Sequence, residues 1–208
     1  MLKVLGRPNS FNVRKVLWLC AELGIPYDRE NWGRGYTPTS TPEFLKLNPV
    51  AQIPVVIDGA LVMRESNAII RYLAAKHGAE ALYPTDLAAR FRVEQWMDWV
   101  AYDLTHAMRG AFLGGQLQEA PWNNEWFVGQ GRRDFTECIA LVEDELARTG
   151  GPHILGGFTL ADIPLGLVVN RWFSVQGFDK PSFPAVAAYY EKLTERPGYR
   201  AHGRNGMP

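Results

Sequence analysis

The strongest constraint on this chain is a change of hydrophobic rhythm near residue 80. Before it, short strand-like and helix-like segments alternate. Leu2–Leu5 reads as a buried strand, and a loop punctuated by Gly6, Pro8 and Asn9 follows. Val13, Val16, Leu17 and Cys20 then fall at helical spacing, and Gly24 and Pro26 close that helix. Tyr27–Asn31 reads as a second strand, and Pro42–Leu47 as a short helix. Ile53–Ile57 and Leu61–Met63 flank Asp58-Gly59, a hairpin signal. Ser66–His77 carries Ala68, Ile69, Tyr72 and Leu73 along one helical face. Beyond Pro84 no strand pattern occurs. Helices are expected over Ala88–Phe112, Asn123–Arg148, Thr159–Phe173 and Phe183–Thr194. The pattern predicts an α/β domain with a mixed four-stranded sheet over residues 1–78, a linker at 79–85, and an all-helical bundle over 86–208.

Charge narrows the partners. Lys plus Arg and Asp plus Glu each total 22, so there is no basic excess for nucleic acid or a membrane surface. Apolar runs stay well short of the ~18 residues a membrane helix needs, and no secretory leader is legible. Cys20 and Cys138 lie in helical apolar patterns without CxxC spacing, and are expected as reduced thiols of a cytoplasmic protein.

Two short motifs carry chemistry. In Asn48-Pro49-Val50-Ala51-Gln52-Ile53-Pro54, a proline opens an apolar strand, where its missing N–H costs least. A trans bond is the commoner case. A cis Ile53–Pro54 bond would turn the Ile53 N–H and C=O outward to pair with an extended peptide. In Glu65-Ser66-Asn67-Ala68-Ile69, Ser66 stands at a helix start, where free N–H groups and the dipole favour a carboxylate, and Glu65 can accept from an ammonium group. Plain capping is the simpler alternative.

Taken together, and in this order, the two motifs resemble the glutathione-binding half of glutathione S-transferases. The likeness continues at Phe158-Thr159-Leu160-Ala161-Asp162-Ile163, which is similar to that family's capping box and hydrophobic staple. The resemblance implies a thioredoxin-like domain followed by a helical one, a homodimer, and glutathione as co-substrate, with no metal. It implies that the Ile53 backbone, beside Pro54 and Gln52, holds the cysteinyl part of glutathione. Glu65 and Ser66 would hold the γ-glutamyl end. The glycyl carboxylate would lie near Thr39 and Ser40, without a single residue assigned.

The family places its thiol-activating residue near the start of the first helix. The segment Arg7-Pro8-Asn9-Ser10-Phe11-Asn12 offers neither tyrosine nor cysteine. Ser10, four residues before Arg14 as in theta-like and delta-like members, is the first candidate, and Asn12 is the second. A second, small electrophilic substrate is expected between the domains, near Arg7, Phe11, His106 and Arg109. Trp96 and Trp99 are expected in the core. Conjugation of glutathione to electrophiles leads; glutathione-dependent reduction of disulfides or peroxides, and a non-catalytic binding protein, are the alternatives.

Overall fold

The structure, a computed structural model, describes residues 1–206; residues 207 and 208, which the sequence reading assigns to the helical bundle, lie outside the described residues. In chain order the elements are β1 (Leu2–Leu5), α1 (Phe11–Leu23), β2 (Tyr27–Glu30), α2 (Pro42–Leu47), β3 (Val55–Asp58), β4 (Leu61–Met63), α3 (Ser66–Lys76), α4 (Leu87–Trp99), α5 (Thr105–Arg109), α6 (Glu125–Thr149), α7 (Asp162–Ser174), α8 (Pro184–Leu193) and α9 (Pro197–His202). Two stretches of π-helix, Val100–Leu104 and Gly110–Gln116, join α4 to α5 and extend α5. The chain divides into two units: Met1–Tyr83 with Arg196–Gly206, and Pro84–Glu195.

In the first unit the sheet order is β2-β1-β3-β4. β1 pairs with β2 in parallel and with β3 antiparallel, Leu5 facing Val55; β3 and β4 form the antiparallel hairpin at Asp58–Leu61. The thioredoxin-like domain with a mixed sheet is therefore present. Leu5, Phe44 and Val55 form a buried cluster, with Trp32, Leu47, Ile53 and Ile57 packed on it. α1 buries Val13, Val16, Leu17, Trp18 and Cys20, and ends on Gly24 at φ 63°, a left-handed position that favours glycine.

The stretch from Arg196 departs from the sequence reading, which places it with the helical bundle. It returns to the first unit and packs on α1. Trp18 and Tyr199 rings lie 4.8 Å apart, and the Arg196 guanidinium meets Glu22 at 2.6 Å. Short and opened by a proline, α9 has too few residues to display a helical period.

The second unit is built from helices, with α5 and the second π stretch packed along α6. The crossing is close because both partners lack side chains: a Cβ on Gly110 would lie 2.0 Å from the Phe127 carbonyl, and one on Gly131 would lie 2.5 Å from Gly110 Cα. On α4 and its π extension, Val93, Met97, Val100 and Leu104 form the buried stripe. Trp96 and Trp99 each sit one residue off that stripe. Contrary to the expectation of core positions, they are half-buried and line an open groove of about 430 Å³ with Leu141, Asp144 and Arg148. α7 starts on a closed polar knot. The buried Asp162 carboxylate accepts from Thr159 N–H at 2.8 Å and Ile154 N–H at 3.2 Å, while Thr159 Oγ1 accepts from Ala161 N–H at 3.3 Å. Among the described residues no helix is long and apolar enough to cross a membrane.

Candidate functional site

The loop before β3 is braced from inside by one asparagine. Asn48 is 2% exposed; its Nδ2 donates to the Gln52 carbonyl at 2.8 Å, and its Oδ1 accepts from Val50 N–H at 3.1 Å. That bracing holds Ala51 at φ 56° and leads into a cis Ile53–Pro54 bond. Pairing with β1 begins at Val55, so Ile53 lies just outside the ladder, its side chain anchored on the core and its main chain at the sheet's end. Gln52 is exposed.

Two helix starts in the same unit carry the other candidates. Ser10 is the residue before α1, with extended backbone (φ −79°, ψ 129°); it is 8% exposed, and its hydroxyl makes no capping bond to the helix. Glu65 precedes α3 at φ 67°, a backbone region that a residue with a Cβ enters only at some cost, and its side chain does not cap either. Neither first turn contains an acidic residue.

A direct hydrogen bond joins the two starts. Ser66 Oγ, on α3, donates to Asn12 Oδ1, on α1, at 3.2 Å. Beneath them lies Lys15, which the sequence reading passes over. It is 3% exposed, and its Nζ reaches Ser66 Oγ at 3.4 Å and Asn67 Oδ1 at 3.2 Å, with the Phe11 ring 4.9 Å away. The signal available in the sequence is spacing: Lys15 follows Asn12 by one helical turn and therefore shares its face. Arg14, also buried, is tied to the Pro8 carbonyl at 3.3 Å, and burial lowers its pKa.

The arrangement is electropositive. Two helix N-termini and a buried ammonium favour a bound carboxylate or a sulfur anion, while the exposed Glu65 offers an acceptor for an ammonium group. The remaining candidates are divided between the two units. Arg7, whose Nε donates to Asn9 Oδ1 at 3.2 Å, and the buried Phe11 belong to this unit. His106 and Arg109 belong to the second unit; His106 is exposed on α5, and the Arg109 guanidinium lies 5.6 Å over the Trp122 ring. Thr39 is half-buried and Ser40 exposed, in the loop before α2.

The cysteines stand apart from this chemistry. Burial pushes the Cys20 thiol up to about 12, and burial with nearby Asp103, Asp134 and Glu137 pushes Cys138 up to about 11, so both stay protonated near neutrality. Among the described residues no group of three or more His, Cys, Asp or Glu side chains is arranged to hold a metal ion.

Comparison with known proteins bears on the same region and beyond it. Residues 1–75 match the family of the glutathione S-transferase N-terminal domain. The glutathione S-transferase GstB of Escherichia coli K12 is 33% identical over 205 residues, covering 96% of each chain. Glutathione S-transferase 3 of Zea mays is 37% identical, over 96% of this chain and 91% of its own. Among solved structures, a theta class glutathione S-transferase of Xanthomonas axonopodis pv. citri with glutathione bound superposes with a TM-score of 0.88 and 34% identity, covering 100% of this chain and 99% of that one.

Proposed function

The chain belongs to the glutathione S-transferase family, and from that premise we propose that it is a glutathione transferase whose first unit binds glutathione as co-substrate and turns its thiol into a thiolate for attack on small electrophiles. The observation that carries the reading is the 3.2 Å bond from Ser66 to Asn12. It holds two uncapped helix starts side by side, in the same unit as the Ile53–Pro54 loop.

On this reading the Ile53 main chain pairs with the cysteinyl residue in the manner of an added strand. The N–H groups at the start of α3 take the γ-glutamyl carboxylate, and Glu65 takes its ammonium group. Ser10 is the thiol-activating residue. Its hydroxyl is left uncommitted by the helix it precedes, so it is free to donate to sulfur, with the α1 dipole adding to the effect. A free thiol has a pKa near ~8.5, and lowering it by about two units requires about 2.7 kcal/mol of preference for the thiolate. One hydrogen bond to an anion and one helix terminus together supply that order of magnitude. The thiolate then forms a bond to the electrophilic carbon, and the leaving group departs with the electron pair. Since Cys20 and Cys138 stay protonated, redox exchange, the alternative activity, would also run through the sulfur of glutathione.

The reading extends to assembly and setting. Leu87, Phe91 and Tyr102 repeat along one face of α4 and its extension and are 78%, 63% and 77% exposed; a homodimer would bury them, and sedimentation of Phe91→Glu against native protein tests this. Cytoplasmic residence suits two reduced thiols. The primary experiment is the ultraviolet difference spectrum of the glutathione complex, titrated with pH. A thiolate band well below pH 8.5 that is lost in Ser10→Ala is the expected result. Absence of the band in the native complex would leave only a binding protein.

A further inference from the structure

We infer that Lys15 is a positioning residue for thiolate formation: through Ser66 it holds the Asn12 amide with its oxygen inward and its N–H groups toward the bound thiol. The inference rests on the proposed glutathione site and adds a second donor to it.

Counting protons sets the direction of each bond in the Lys15–Ser66–Asn12 chain. An ammonium group donates only, so Ser66 Oγ is an acceptor toward Lys15 Nζ, 3.4 Å away. The hydroxyl proton of Ser66 is then directed elsewhere, and it goes to Asn12 Oδ1 at 3.2 Å. A hydroxyl that donates must meet oxygen and not an amide N–H, which fixes which way round the Asn12 side chain sits. With Oδ1 spent on Ser66, the two N–H bonds of Nδ2 face away from α3. Asn12 itself is exposed in the first turn of α1, two residues beyond Ser10. An amide in that place, so oriented, donates to an anionic sulfur; flipped, it would present a repelling oxygen.

The lysine is held for this task. It is 3% exposed, bound on its other side by Asn67 Oδ1 at 3.2 Å, and its cation lies 4.9 Å from the centre of the Phe11 ring. A buried ammonium on a helix is costly unless its donors are used. Its hydrogen bonds to Ser66 and Asn67 both fall on the first turn of α3, beside the proposed thiol site.

The test is the apparent pKa of the bound glutathione thiol in a double-mutant cycle. Lys15→Met keeps the apolar stem and removes the charge. It is expected to raise the thiol pKa by about one unit, a tenfold loss of thiolate below the pKa. Asn12→Ala should raise it by a similar amount, and Lys15→Met should add little in the Asn12→Ala background. A purely electrostatic lysine would add its full shift in both backgrounds, and that result overturns the inference. So does a Lys15→Met protein with an unchanged thiol pKa. Should Lys15→Met fail to fold, Ser66→Ala carries the same test, because it deletes the link without leaving a cavity for a charge. It must raise the pKa in the native background and not in Asn12→Ala. A native thiolate insensitive to Asn12→Ala sinks this inference and leaves the proposed function standing; no native thiolate sinks both.

Discussion

The helix starts of this molecule fall into two kinds. α2, α4 and α6 are closed by side chains: Thr41 accepts from Phe44 N–H, Asp86 from Ala89 N–H, and Asn124 from Phe127 N–H. α7 has the Asp162 knot, and α8 is capped from a distance by Glu143, which accepts from Ala185 and Val186 N–H groups at 3.0 and 2.8 Å. α1 and α3 are the contrast, and the short α9 also starts without a side-chain cap. Ser10 and Glu65 stand where a cap belongs and do not cap. Ser10 is a residue well suited to capping, so chemistry alone does not explain the omission. The difference separates helix starts whose donors are spent on folding from those of α1 and α3, whose donors the proposed glutathione site would use. The starts of α1 and α3 are hydrogen-bonded to each other, and on the proposed function that bond joins them into one site.

The contrast can be broken at its closed end first. Asp162→Ala strips the acceptor from two backbone N–H groups, and a loss of about 3 kcal/mol in urea unfolding is expected, since each buried orphan donor costs about 1–3 kcal/mol. Glutathione affinity of the folded fraction should be unchanged. The same group predicts a pH slope. Burial holds the Asp162 carboxyl up at about 6 against an ordinary 3.8, with its accepted hydrogen bonds pulling down. The folded state therefore binds this proton more tightly than the unfolded state. Stability should fall as pH rises from about 4 to about 6, by up to about 3 kcal/mol, and this component should be missing in Asp162→Ala. At the open end, Glu65→Gln should weaken glutathione binding about tenfold or more, about 1.4 kcal/mol, and move stability by less than about 0.5 kcal/mol. Thr159→Ala, a closed start, should cost about 1 kcal/mol. The smallest stability effect is reserved for Ser10→Ala, under about 0.5 kcal/mol despite its N-cap position. A loss near 1 kcal/mol there would mean that Ser10 caps α1 after all.

Much of this was legible in the residues. The hairpin at Asp58-Gly59 and the strands around it follow from local turn chemistry and alternation, and the structure places them within a residue or two. The segments around Ile53 and Glu65 were readable because each is a contiguous motif. Lys15 was not. A lysine between Val13 and Val16 reads as solvated, and only the approach of α3 buries it. The same holds for Asn48, whose role as the brace of its loop depends on the path of Val50 and Gln52. Trp96 and Trp99 mislead for another reason. Their bulk suggests core, but the helix already has a full apolar stripe beside them. The π stretches at Val100 and Gly110 leave no mark in a pattern read at a 3.6-residue period.

The return of Arg196–Gly206 to α1 has a consequence for how the protein is made. The first unit is encoded in two pieces, with all of Pro84–Glu195 between them. On the ribosome, β1 through α3 emerge long before α9, so Trp18 and Glu22 wait without Tyr199 and Arg196 until the helical unit has been synthesised. Arg14, in the same helix as Asn12 and Lys15, likewise waits for the Gly206 carbonyl, which it reaches at 3.1 Å. The helix that opens the site is thus completed only late in translation, and a nascent chain cut short before residue 196 would carry every site residue without the packing that steadies them.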